Sequence, residues 1–470
     1  MRDSCIMLNT SHTLPNSALS TAPSRLPMLD MAEVLRDPAQ ALMKKPAPGE
    51  LGRRALRFLH SCTVCLAPPK QTATTAGWAG RPPGQSEPTL LFHASNRQPP
   101  CGAAARGFTY WAARATAIYA RRHAYEYAFF DTTKPVAELW QAQAQNEQVL
   151  PAQFNYRVVV AQFSKSALLL ALATDGPWKL LVYLDDDAGV SSPTAPPLPA
   201  ILGGVSSHVC SGRGATLDEL MSSVSADGST RVVKSLYYER MHPGDPKVVG
   251  GVERLMVGAA QPNVWEDTMQ VGRWEHHPTG TPPNWRRARA DRSPLRGWAD
   301  DCPVNSGVLM VGTCASARRL LEAWYGLAPQ GAKCPAMVNW HAASNDSGTA
   351  WAEGVGIDAG HPLHVCPCSV RCKDQHALNA LLEDTFPGAA VVANETLLGT
   401  PYGRYFAHAY CGSSASKDAC NAGRNRTTFK WVGAAATSGG AASALDGLVP
   451  PAIPWKAALQ KVKARHATAS

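Results

Sequence analysis

The sequence predicts an α/β fold: a mostly parallel sheet, flanked by helices and carrying a long irregular insert. Three observations predict it. Apolar runs alternate with stretches of helical periodicity between residues 89 and 184, the succession of a sheet covered on both faces. The run LLVYL at 180–184 has no polar alternation, as expected of a central strand. It stops on Asp185, Asp186 and Asp187, and open α/β sheets bind ligands just beyond the carboxyl ends of their strands.

Residues 1–85 are rich in Ser, Thr, Pro and Ala without sustained periodicity and read as a largely disordered N-terminal region, with one short helix over LDMAEVLRD. A domain over 86–430 opens with TLLFHASN, a strand ending in small polar residues. Phe108, Trp111, Ala112, Ala115, Ile118 and Tyr119 then recur at helical spacing before the strand EYAFFDT. VVVAQF reads as a short strand, SKSALLLALATDG as a helix closed by Asp-Gly, and KLLVYL as a strand. Residues 191–300, full of Gly, Pro and Ser, form the insert. Regularity returns with VNSGVLMVG as a strand and with ASARRLLEAWYG and DQHALNALLEDTF as helices. Residues 431–470 are a low-complexity tail with a short basic helix in WKAALQKVKAR.

Composition sets outer limits. At 45% hydrophobic residues the chain can build a large core, while Gly 38 and Pro 37 favour long loops. A net charge of +9 favours anionic partners: nucleic acid, anionic lipid or a phosphorylated small molecule. No apolar run approaches the ~18 residues of a membrane span. The opening MRDSCIMLNTSHTLPNS lacks the basic-then-apolar pattern of a secretory leader. Asn-x-Ser/Thr sites at Asn9, Asn345, Asn394 and Asn425 nevertheless lean toward a secretory lumen. Thirteen cysteines is an odd number, so one at least has no partner within the chain.

The acidic triplet is the feature with chemistry in it. Adjacent carboxylates repel, and a divalent cation at the sheet edge cancels that repulsion and recruits a phosphate. The plainer account is a solvated acidic loop or a helix cap.

Taken with the triplet, five landmarks occur in order: HAYEY, FSKSALLLALATDGPWKLLVYLDDDA, NSGVLMV, DQHALNALLE and HAYCG. Together they resemble nucleotide-sugar glycosyltransferases of the GT-A fold, with a Rossmann-like sheet, and most of all the galactosyl-, mannosyl- and xylosyltransferase group of glycosyltransferase family 34. The resemblance spans residues 88–415. It implies that Asp185 and Asp187 hold a divalent metal, Mn²⁺, against the diphosphate of a UDP-linked sugar, with His408 completing the metal sphere. Asp186 fills the middle place and reaches toward the ribose. Lys165 stands where a basic residue precedes the strand, in reach of donor phosphate. Asn305, Ser306 and Gly307 match a turn before a strand that contacts donor or acceptor sugar. Asp374 and Gln375 match a pair beside the transferring sugar, although Asp374 also suits an ordinary helix N-cap. The implied reaction is transfer of a hexose or pentose to a glycan or glycoprotein, with retention of configuration, in the Golgi or secretory lumen. Asp374 is the nearest carboxylate for an inverting base.

Rival readings remain. His364, Cys366, Cys368, Cys372 and His376 do not show the paired spacing of a structural zinc site and better suit disulfides, for example with Cys411 or Cys420. A phosphatase of the haloacid dehalogenase kind begins with strand-then-Asp-x-Asp, but Gly189 stands where its loop wants Thr or Val. The five arginines of WRRARADRSPLRGW at 285–298 are a solvated basic loop or a nucleic-acid grip. A catalytically degenerate protein of the same fold is the last alternative.

Overall fold

The computed structural model of the chain describes residues 49–67, 88–97, 101, 109–144, 156–215, 219–220, 222–236, 253–260, 304–326, 374–386, 388–399, 403–409, 426–433 and 452–467. In chain order the long helices are α1 (Glu50–Ser61), α2 (Tyr110–Arg122), α3 (Thr133–Ala144), α4 (Tyr156–Asp175), α5 (Ala315–Gly326), α6 (Asp374–Asp384) and α7 (Trp455–Ala467). The strands are β1 (Thr63–Ala67), β2 (Thr89–Ser95), β3 (Glu126–Asp131), β4 (Leu180–Leu184), β5 (Ala188–Val190), β6 (Val233–Leu236), β7 (Met256–Ala260), β8 (Val304–Gly312), β9 (Ala390–Ala393), β10 (Phe406–His408) and β11 (Ile453–Pro454).

Nine strands form one sheet in the order β11-β1-β3-β2-β4-β8-β7-β9-β6, and β10 and β5 form a separate two-stranded ribbon. Side chains alternate across the sheet. Leu90, Phe92, Leu181, Tyr183, Leu309 and Val311 share a core with α1, α4, α5, α6 and α7. Leu91, Val182, Leu184, Val308 and Met310 pack on the other face with α2 and the ribbon. The fold is therefore α/β, with helices on both faces of a large sheet.

The expectation of a mostly parallel sheet is corrected. β2 runs parallel to β3 and β4, and β7 to β9, but β4–β8, β8–β7, β1–β3, β1–β11 and β6–β9 are antiparallel, so the sheet is mixed. Parallel neighbours need helical crossovers, which α2 and the α3–α4 pair supply among β2, β3 and β4. β8 arrives after the insert and enters against β4. Apolar runs identify strands without giving their direction.

Three further expectations change. VVVAQF lies in the first half of α4, because a short apolar run has no periodicity to separate strand from helix. The N-terminal region expected to be disordered contains α1, which packs into the core, and β1, which pairs in the sheet and is tied by a Cys65–Cys101 disulfide with Cα atoms 5.7 Å apart. The insert is not wholly irregular, since β6 and β7 fall inside it and a Cys210–Cys314 disulfide pins its start. The basic helix expected in the tail is α7, which buries Trp455, Ala458, Leu459 and Val462. Among the described residues no helix is long and apolar enough to cross a membrane. LDMAEVLRD, the arginine-rich loop, His364, Cys366, Cys368, Cys372, Cys411, Cys420, Asn9, Asn345 and Asn425 lie outside the described residues.

Candidate functional site

The acidic triplet leaves the carboxyl end of β4 as a tight turn, with the Ala188 amide donating to the Asp185 carbonyl at 2.9 Å. The chain then enters β5, whose partner β10 sets Ala188 opposite His408. That pairing carries the imidazole to the turn from far along the sequence. His408 Nε2 lies 2.9 Å from Asp187 Oδ1 and 3.7 Å from Asp185 Oδ2. The ligand atoms of Asp185, Asp187 and His408 all lie within 4.8 Å of one another. Two carboxylates and an imidazole are a donor set suited to Mn²⁺ or a similar divalent ion.

The other half of the site is built on β8. Its register against β7 slips between Gly258 and Ala259, so the stretch holding Ser306 and Gly307 bulges out of the ladder. Asn305, Ser306 and Gly307 lie inside the strand, as the run VNSGVLMVG predicts, and not in the turn before it that the resemblance implies. The bulge has direct uses: the Gly307 carbonyl accepts from the Asp185 amide at 2.8 Å, and the Gly307 amide donates to Asn305 Oδ1 at 2.7 Å. A Cβ at Gly307 would stand 2.3 Å from His408 Cε1, which is why glycine is needed there. α6 is stitched to the same bulge. Ser306 Oγ donates to Asp374 Oδ2 at 2.7 Å, its amide donates to Gln375 Oε1 at 3.3 Å, and Asn379 exchanges hydrogen bonds with both backbone groups of Val304.

Lys165 joins the two halves. From α4 its ammonium reaches Asp185 Oδ1 at 3.0 Å, Asp374 Oδ2 at 3.0 Å, Ser306 Oγ at 3.2 Å and the Ser306 carbonyl at 3.3 Å. Burial disfavours its charge, but Asp185 and Asp374 more than compensate and raise its pKa. An ammonium has three hydrogens, and these partners use them. Lys165 is thus a strut between carboxylates, on the helix where the resemblance implies a basic residue in reach of donor phosphate. The Tyr183 hydroxyl also donates to Asp185 Oδ1 at 2.6 Å, leaving Oδ2 as the oxygen that faces His408.

The three aspartates sit in different fields. Burial raises the Asp185 pKa, yet Lys165 and His408 pull it below the ordinary value. Asp186 turns to β2, taking a hydrogen bond from Ser95 Oγ at 2.7 Å with Arg97 3.8 Å away; burial and then Asp187 push it up to about 7. Burial disfavours an imidazolium at His408, but Asp187 and Asp185 raise its pKa overall. Of the site residues that the resemblance singles out, Lys165, Asp185, Asp187, Asn305, Ser306, Gly307, Asp374, Gln375 and His408 are brought together here, while the Asp186 side chain turns away to Ser95 and Arg97.

Sequence reasoning missed His93, Ser95, Arg97, Tyr127 and Tyr183. TLLFHASN was legible as a strand, and the signal in it was a histidine at the middle of an apolar run. No protein-family model matches the chain, and no curated protein matches it.

Proposed function

We propose that this chain is a divalent-metal-dependent glycosyltransferase. It transfers a hexose or pentose from a nucleotide-diphosphosugar, UDP-linked, to a glycan or glycoprotein hydroxyl with retention of configuration. The observation that carries this reading is the convergence of Asp185, Asp187 and His408, from distant parts of the chain, at the carboxyl end of the central strand β4. The finer fold assignment, a GT-A-type Rossmann-like domain, rests on the two parallel crossovers that place β2, β3 and β4 side by side.

Asp185 Oδ2, Asp187 and His408 are the residues that would hold Mn²⁺. When bound, the ion supplies positive charge for the diphosphate that leaves the sugar. The chain's own part is orientation. Lys165 and Tyr183 fix Asp185 Oδ1, so the remaining oxygen points at the imidazole. Asn305, beside the β8 bulge, and Gln375, in the first turn of α6, hold that bulge in place through their side-chain oxygens and stand where the resemblance sets contacts to the sugar. Asp374 is buried and held by Lys165 and Ser306, which makes it a poor free base for an acceptor hydroxyl and favours retention over inversion. The two disulfides support an oxidising lumen as the working compartment.

The test is release of UDP from a panel of UDP-sugars, with and without Mn²⁺ and glycan acceptors. Metal-dependent turnover that disappears in Asp187→Ala supports the reading. Absence of turnover with every donor, in protein that is folded and metal-loaded, contradicts it.

A further inference from the structure

We propose that His93, backed by Tyr127, is a positioning residue that fixes the acidic turn in the form that accepts a divalent cation. This rests on the metal reading above, and it adds two residues hydrogen-bonded to none of the three metal-ligand side chains. His93 is fully buried in β2, in register with Leu184, the residue immediately before the triplet. Its Nε2 lies 2.8 Å from the Ala188 carbonyl, and its Nδ1 lies 2.9 Å from the Tyr127 hydroxyl.

These partners determine the tautomer. A carbonyl oxygen only accepts, so Nε2 carries the hydrogen, and in the neutral ring Nδ1 accepts from the Tyr127 O–H. Burial holds the His93 pKa down at about 4, in keeping with a neutral ring. The ring is clamped as well, stacked on Phe129 with centroids 6.0 Å apart and edge-on to Tyr127 at 5.7 Å.

What this does to the turn follows from the peptide groups around Ala188. The Asp187 carbonyl accepts from the Ala409 amide at 2.8 Å, and the Ala188 amide donates to the Asp185 carbonyl at 2.9 Å. His93 holds the next carbonyl along. Consecutive peptide planes on both sides of Ala188 are then fixed, and the first of them is also the carboxyl-side flank of Asp187, so the backbone that carries the Asp187 side chain is anchored there. Without the Nε2 donor, the Ala188 carbonyl is buried with one fewer partner, and the turn relaxes at the residue that faces His408.

The experiment is Mn²⁺ affinity, read from the free-ion electron paramagnetic resonance signal, for wild type, His93→Phe, His93→Gln and Tyr127→Phe. Unfolding in urea is measured on each. Gln places an N–H donor near the position of Nε2; Phe does not. The expected result is about tenfold weaker Mn²⁺ binding in His93→Phe, in line with losses on removing outer-shell partners. His93→Gln should recover most of it, and Tyr127→Phe should weaken binding while the protein stays folded. A histidine that only fills the core would lower stability in His93→Phe and His93→Gln alike and leave affinity unchanged. Wild-type affinity in Tyr127→Phe together with equal affinities in the two His93 variants overturns the proposal. Should His93→Phe not fold, weakened binding in Tyr127→Phe supports the proposal and unchanged binding there overturns it. If the wild type itself does not bind Mn²⁺, the metal reading falls first and this inference with it.

Discussion

The ammonium of Lys165 lies 3.0 Å from Asp374 Oδ2 and, on its other side, 3.0 Å from Asp185 Oδ1. One cation from α4 therefore balances a carboxylate on the β4 turn and another on α6. Both halves of the site depend on it, and Asp374 and Lys165 are each buried.

Removing that cation strands two carboxylates. Lys165→Met should destabilise the fold by about 3–5 kcal/mol, the usual cost of leaving a buried charge without its partner. Urea unfolding at neutral pH measures this. A double variant, Lys165→Met with Asp374→Asn, should recover part of the loss, because fewer uncompensated charges remain.

Gly307 separates geometry from charge. In Gly307→Ala the new methyl meets the His408 ring and Asn305 Oδ1, so the imidazole must swing away from Asp187. Overpacking of this kind costs about 1–3 kcal/mol. The folded variant should lose its Mn²⁺-dependent response to UDP in a thermal-shift assay.

A second buried ion cluster predicts a contribution to acid sensitivity. Glu126 on β3 is almost wholly buried and accepts from Trp178 Nε1 at 2.6 Å and from Arg465 Nη2 at 2.7 Å, with His466 Nε2 at 3.5 Å. Burial raises its pKa, but the hydrogen bonds and charges of His466 and Arg465 lower it overall. A carboxylate depressed in the folded state contributes stability that is complete above its unfolded pKa of 4.5 and is lost as pH falls through the lower folded value. Unfolding midpoints titrated downward from neutrality should drop steeply below that point. Glu126→Gln should start less stable and show a shallower acid slope.

Much of this architecture was legible. LLVYL, VNSGVLMVG and ASARRLLEAWYG fall on β4, β8 and α5, because long apolar runs and clear helical spacing leave little choice. The three carboxylates after β4 stood out because burial and charge meet there. Other features lay in relations between distant segments. The β7–β8 slip that frees Gly307, and the ribbon that carries His408 to Asp187, depend on pairings that no local window contains. Lys165 was visible as a charge on a helix, but its direction depended on α4 extending back through VVVAQF. α1 and β1 were missed because their stabilisation comes from the sheet and from Cys101, outside their own segment.

Binding of UDP with and without Mn²⁺, followed by thermal shift in wild type and Asp187→Ala, tests the central claim most directly. A cation held by Asp185, Asp187 and His408 predicts that UDP raises the unfolding temperature only when Mn²⁺ is present, and that the rise vanishes in Asp187→Ala. Equal stabilisation of both proteins, or a UDP response indifferent to the metal, would contradict it.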